Sequence, residues 1–224
     1  MSLGHGSIES LFLDGDAGRL EALLNIGRAD AEYACVVCHP HPLFGGTMHN
    51  KVVFHARKVL NTFGFPVLRF NFRGVGSSMG EHDYGRGEIA DVKAALDYVA
   101  ERFSLPLIFA GFSFGAAIGL CAAVPDPRVE ALAALGIPVN ADGREYTYTL
   151  LRESEQPKLF LSGGLDEFAS PTQLEQVFAQ SAEPKRLVVI PEADHFFAGH
   201  MDQMRTALSE WLREILGPPA HSAV

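Results

Sequence analysis

Pro106-Leu-Ile-Phe-Ala-Gly-Phe-Ser-Phe-Gly-Ala-Ala-Ile-Gly-Leu-Cys-Ala-Ala123 is the stretch on which the reading of this chain turns. It opens as an apolar run of strand length and closes as a run of small residues and good helix formers. Between them stands Gly111-Phe112-Ser113-Phe114-Gly115, spelling G-x-S-x-G, the pattern of a serine held on a strand-to-helix elbow. So tight a turn keeps the serine in a strained backbone conformation that surrounding packing must enforce. Strand and helix then pass close together, and Gly111 and Gly115 leave room for the approach. A structural turn with an incidental serine would carry the same pentapeptide. The partners of Ser113 elsewhere in the chain therefore decide between the two readings.

Working outward, hydrophobic runs and helical patterns alternate. Residues 7–13 and 19–26 read as two strands around the turn cluster Asp14-Gly-Asp-Ala-Gly18, an antiparallel hairpin. Tyr33-Ala-Cys-Val-Val-Cys38 is too apolar for a strand with one wet face and suits a sheet covered on both sides. Strands are also expected over 65–72, 106–112, 129–137, 158–162 and 185–190. Helices are expected over 50–61, 87–102, 114–123, 171–181 and 200–216. The loop 73–80 reads as long and flexible, and 140–155 as polar and irregular with at most a short helix. This alternation predicts an α/β fold of about eight strands, mostly parallel, with helices on both faces. One domain over 1–217 with a frayed tail at 218–224 accounts for the length of 224 residues.

Composition narrows the function. The hydrophobic share of 47% supports a large core, and a net charge of −9 argues against nucleic acid or an anionic membrane as the main partner. No apolar run approaches the roughly 20 residues of a membrane span. The start at Met1 shows no secretory signal, and three cysteines cannot all pair. The expected setting is reducing and cytoplasmic.

A serine hydroxyl needs a base, and the base a carboxylate to orient it. On an elbow of this kind the two follow the serine in the order acid, then histidine, just beyond strand ends. Of the histidines after Ser113, His221 lies in the tail and His200 opens the last helix. His195 sits between the last strand and that helix, the expected place. For the acid, Asp166 follows the strand at 158–162 and two glycines; Glu167, Asp194 and Asp142 are its rivals. Acyl transfer also needs N–H donors for the developing oxyanion. Phe114 is one. The loop His41-Pro-Leu-Phe-Gly-Gly46 supplies the other, and because Pro42 has no N–H, Leu43 is the first choice and Phe44 the second.

With these pieces in place the chain resembles the α/β-hydrolase superfamily over nearly its whole length. The resemblance rests on the elbow, on the Gly-x-x-Asp segment ending at Asp166, and on Ala193-Asp-His195. His39-Pro-His-Pro-Leu-Phe-Gly-Gly-Thr-Met48 with Phe70-Asn-Phe-Arg-Gly-Val-Gly-Ser77 is similar to compact bacterial dienelactone-hydrolase-like or peptidase-like serine hydrolases. That similarity implies a core without a large lid. Dienelactone hydrolases proper carry a cysteine nucleophile where this chain has Ser113, so their lactone substrate is not implied. The segment 138–157 is too short for a full lid and predicts an accessible site for a small acyl substrate.

The expected function is a cofactor-free, metal-free serine hydrolase of carboxylic esters or related acyl compounds. A peptidase or amidase is the alternative, and a non-catalytic interaction module is less favoured. Phe44, Phe112, Phe114, Phe168, Phe196 and Phe197 are divided between an acyl pocket and the core. Arg73 and His82 read as parts of a solvated loop, with a polar substrate contact as the other possibility. Cys35-Val-Val-Cys38 falls inside a strand, where positions three apart face opposite ways, so a redox role is not expected. His39, His41, His49 and His55 lack a ligand spacing that would hold zinc. Arg73-Gly-Val-Gly-Ser77 opens no helix and predicts no nucleotide site.

Overall fold

A computed structural model describes residues 6–141 and 143–217. The start Met1–His5, the rival acid Asp142 and the tail with His221 lie outside the described residues. Among the described residues, ten strands and five α-helices follow in the order β1 (Ile8–Gly15), β2 (Gly18–Asn25), β3 (Ala34–Cys38), α1 (Lys51–Thr62), β4 (Val67–Phe70), α2 (Arg86–Phe103), β5 (Leu107–Phe112), α3 (Phe114–Ala123), β6 (Val129–Leu135), β7 (Asn140–Ala141), β8 (Arg144–Glu145), β9 (Lys158–Gly163), α4 (Pro171–Gln180), β10 (Lys185–Ile190) and α5 (Met201–Leu216). Eight strands form one sheet in the order β1-β2-β4-β3-β5-β6-β9-β10, and β7 and β8 make a separate two-stranded hairpin. β1 and β2 pair antiparallel, as does β2 with β4; the six strands from β4 to β10 run parallel. This is the mostly parallel eight-stranded sheet that the sequence predicts.

Alternation along the central strands sorts side chains to two cores. Cys35 and Val37 of β3, with Ile108, Ala110 and Phe112 of β5, face α1 and α5. Val36 and Cys38, with Leu107 and Phe109, face α2, α3 and α4. Cys35 and Cys38 therefore point to opposite faces, both free and both buried, and burial pushes each thiol well above its ordinary pKa. The helices match this layering. α5 buries Met204, Ala207, Leu208, Trp211 and Leu212, a stripe at helical spacing. The Asn50 Oδ1 caps α1 by accepting the Val52 N–H at 2.9 Å. Ser170, Pro171 and Gln173 form a capped start for α4.

Two loops differ from their sequence reading. The 73–80 loop is anchored. The Glu21 carboxylate accepts the Ser77 N–H at 2.9 Å, and the Ser78 hydroxyl donates to the Asn71 carbonyl at 2.7 Å. Arg73 at its head is buried. Among the described residues, only the β7–β8 hairpin and a 3-10 turn at Thr149–Arg152 stand between β6 and β9. Neither is large enough to roof the sheet edge. Among the described residues, no helix is long and apolar enough to cross a membrane.

Register brings the functional candidates together. Cys38 pairs with Gly111, Phe112 with Leu135, Leu135 with Leu161 and Gly163 with Ile190. The carboxyl ends of β3, β5, β6, β9 and β10 thus share one edge. The segments carrying His41, Ser113, Asp166 and His195 all leave from it.

Candidate active site

The elbow forms as its residue types require. Ser113 has φ 56° and ψ −125°, a conformation that a non-glycine residue holds only under enforcement by its surroundings. The enforcement is visible. The Ser113 N–H donates to the Leu135 carbonyl at 2.9 Å, and its own carbonyl accepts the N–H groups of Ala116 and Ala117 at 2.9 and 3.0 Å. A Cβ on Gly111 would stand 2.6 Å from the Ala116 Cα, and one on Gly115 would stand 2.3 Å from the His39 carbonyl oxygen. Both contacts are with backbone, so neither position admits a side chain without moving the elbow.

The Ser113 side chain meets His195. Its Oγ lies 2.9 Å from His195 Nε2, and His195 Nδ1 lies 2.8 Å from Asp166 Oδ2. The other bonds of Asp166 fix the carboxylate. Oδ1 accepts the Phe168 N–H at 2.9 Å, and Oδ2 also accepts the Ser162 hydroxyl at 3.0 Å. An acceptor-only carboxylate facing Nδ1 places the proton there and leaves Nε2 to accept from the serine. The His195 ring is boxed by Phe112, Phe168 and Phe196, with ring centroids at 4.9, 4.6 and 5.1 Å. All three polar residues are buried.

The rivals among the described residues are placed elsewhere. Asp194 caps a local turn, its Oδ1 accepting the Ala198 N–H at 2.9 Å. Glu167 is exposed. His200 lies at the start of α5, with Nδ1 2.8 Å from the Gln203 Oε1.

In the anion-site loop the N–H groups of both expected donors have partners. Leu43 is 62% exposed and does not line the cavity beside Ser113. Its N–H donates to His41 Nδ1 at 3.2 Å, and the Phe44 N–H donates to the His41 carbonyl at 3.2 Å. His41 itself lines the cavity, its ring 4.7 Å from that of Phe114. Phe114 is the first residue of α3, where N–H groups have no partner within the helix.

Beneath this loop lies His39, which is fully buried. Its Nδ1 is 2.7 Å from the Pro40 carbonyl, and its Nε2 accepts the Phe72 N–H at 3.0 Å. Burial lowers its pKa to about 4, so the ring is neutral at ordinary pH. Neither role was expected from sequence; a histidine flanked by a buried strand and a proline was the available signal.

Arg73 and His82 are neither solvated nor substrate-facing. Arg73 is clamped by Asp91, with Nη2 2.7 Å from Oδ1, and also contacts Asp16. These carboxylates hold its pKa above the usual arginine value. His82 Nδ1 lies 2.8 Å from Oε1 of the fully buried Glu88, and its ring packs on His41 at 5.0 Å and Phe114 at 5.7 Å. Of the six phenylalanines, Phe44, Phe114, Phe168 and Phe196 line the cavity, while Phe112 and Phe197 belong to the core. The cavity measures about 240 Å³ and opens over Ser113 and His195.

Comparison with known proteins follows the same lines. Residues 44–216 match the model of the alpha/beta hydrolase domain. An alpha-beta serine hydrolase homologue from Coxiella burnetii is 36% identical, with a TM-score of 0.82 over 90% of this chain and 96% of its own. A serine hydrolase without a lid from Xanthomonas campestris is 32% identical, with a TM-score of 0.83 over 96% and 97%. At 20% identity the fold extends to Est1E of Butyrivibrio proteoclasticus with ferulic acid bound, which has a TM-score of 0.80 over 92% and 99%.

Proposed function

This chain belongs to the alpha/beta hydrolase domain family, and from that premise we propose that it is a serine hydrolase cleaving a carboxylic ester or related small acyl compound. The observation that carries this reading is the aligned series Asp166–His195–Ser113 opening into a cavity at the carboxyl edge of the sheet. Small-molecule acyl chemistry is also supported by the ferulic-acid-bound esterase on the same fold.

In this reading the Ser113 Oγ attacks the carbonyl carbon while its proton passes to His195 Nε2. Asp166 holds the imidazolium that forms. The bond to the leaving oxygen then breaks as His195 returns the proton to it. Water attacks the acyl-enzyme through the same base and releases the acid. The oxyanion is held by the N–H of Phe114 and, we propose in place of Leu43, by the N–H of His41. His41 follows the strand end that packs against the first turn of α3, and it lines the cavity.

The test is covalent. A fluorophosphonate should label the native protein at Ser113, and peptide mapping should find no adduct in Ser113→Ala. An unlabelled Ser113 in folded protein at neutral pH would sink the mechanism. A panel of small alkyl esters beside aminoacyl anilides then separates esterase from peptidase.

A further inference from the structure

The walls of the cavity are narrower in character than the reaction requires. Five aromatic side chains face it, Phe44, Phe114, Tyr146, Phe168 and Phe196, and among the described residues no Asp, Glu, Lys or Arg lines it. Two of these rings stand in water. Phe44 is 71% exposed and Phe196 is 50% exposed. Phe196 also packs on Phe112 and His195, which accounts for part of its placement. Phe44 belongs to neither core, and among the described residues its one ring partner is His41 at 4.8 Å.

Its placement is nevertheless fixed. Phe44 ends the 3-10 turn Pro42–Phe44, whose backbone is tied by Phe44 N–H and Gly46 N–H donating to the His41 carbonyl at 3.2 and 3.0 Å. The backbone that carries Phe44 is thus tied at the mouth, and its ring joins Phe196 in giving the cavity wall exposed aromatic surface. Aromatic walls favour a flat ring that can stack offset or meet them edge to face, over an aliphatic group of the same size. The volume of about 240 Å³ is below the range of pockets that take drug-sized ligands, which suits a small substrate.

We infer that the cavity selects acyl compounds carrying a flat, uncharged aromatic ring within a few bonds of the scissile carbonyl. This rests on the serine-hydrolase reading above. It is tested by two matched pairs of esters, followed by acid release in a pH-stat. Methyl phenylacetate against methyl cyclohexylacetate probes the acyl side. Benzyl acetate against cyclohexylmethyl acetate probes the alcohol side, with similar leaving groups. On at least one side the phenyl member should exceed its cyclohexyl partner in kcat/KM by on the order of tenfold. Phe44→Leu should lower that ratio several-fold.

A ratio near one for both pairs, or a ratio untouched by Phe44→Leu, overturns the inference. Fluorophosphonate labelling separates the two failures. Labelled Ser113 with ratios of one removes ring selection and leaves the hydrolase. No label and no acid from any of the four esters removes both.

Discussion

Two histidine–carboxylate pairs meet the elbow, one through Ser113 and one through the ring of Phe114, and by distance they are the same object. His195 Nδ1 and Asp166 Oδ2 are 2.8 Å apart, as are His82 Nδ1 and Glu88 Oε1, and in both the carboxylate side chain is fully buried. They differ in alignment and in what lies beyond. The His195 contact is a true hydrogen bond, and its far nitrogen meets a serine hydroxyl. The His82 contact lacks hydrogen-bond alignment, and its ring faces other rings, His41, Tyr84 and Phe114. Glu88 is also committed to backbone, accepting the N–H groups of Asp83 and Gly85 at 2.8 Å each. A buried acid beside an imidazole is thus compatible with catalysis or with loop anchoring. The third partner and the opening to solvent make the difference.

The widest separation between the pairs should come from removing that third partner. Ser113→Ala is expected to lower kcat by about 10⁶-fold in ester hydrolysis, leaving a folded protein with an unchanged Tm to within a few degrees. Asp166→Asn follows, with a loss of about 10⁴-fold in kcat as the imidazole loses its tautomer. A Ser113→Ala protein that kept full turnover would erase the distinction between the two pairs.

The proposed anion site gives the next effect. His41 has φ −54°, a value proline adopts, so His41→Pro removes the N–H without forcing the backbone at that residue. It should cost about 10²–10³-fold in kcat. His41→Ala, which keeps the N–H and loses the ring, should retain most of it. Equal losses in the two variants would assign the effect to the imidazole instead.

Legibility in the sequence divided along the same line. The elbow could be read because its demands are local: small residues at 111 and 115 and a hydroxyl at 113. Asp166 and His195 could be located because strand ends in a parallel sheet share an edge. The failures are tertiary. Arg73 looked solvated because its clamp, Asp91, lies 18 residues later on a helix. Glu88 and Asp91 went unnoticed because they sit beside the apolar positions Ile89 and Val92, where helical spacing marks the core without saying which neighbouring acids are drawn in. The contact of the Leu43 N–H with His41 Nδ1 is equally out of reach, because elimination by missing N–H groups cannot see a side chain that captures one.

Stability offers a finer probe of the loop under the site. Neutral His39 is required in the folded state, where its pKa is about 4, while the unfolded chain has the ordinary value near 6.5. Between these values the unfolded state binds the proton more readily. Stability should therefore fall as pH drops through that window, by about 3 kcal/mol in all. Urea unfolding at pH 7, 5.5 and 4 checks this, with His39→Asn expected to show a shallower slope. An identical slope in the variant would move the effect to other groups.

The smallest predicted effect bears most directly on the two pairs. Glu88→Gln keeps shape and removes the charge, but one side of the amide then presents N–H to a backbone N–H that had an acceptor. The unmade bond should lower stability by about 1–3 kcal/mol. Turnover on a small ester should change less than about threefold, because no reacting atom meets His82 or Glu88. The corresponding change at Asp166 has the opposite signature, with catalysis lost and the fold kept. If Glu88→Gln instead cost turnover on the scale of Asp166→Asn while leaving unfolding unchanged, the contacts through the rings of His82 and His41 would have to carry a proton or a field to the site. Distance and burial would then have been the better guide, and alignment the misleading one.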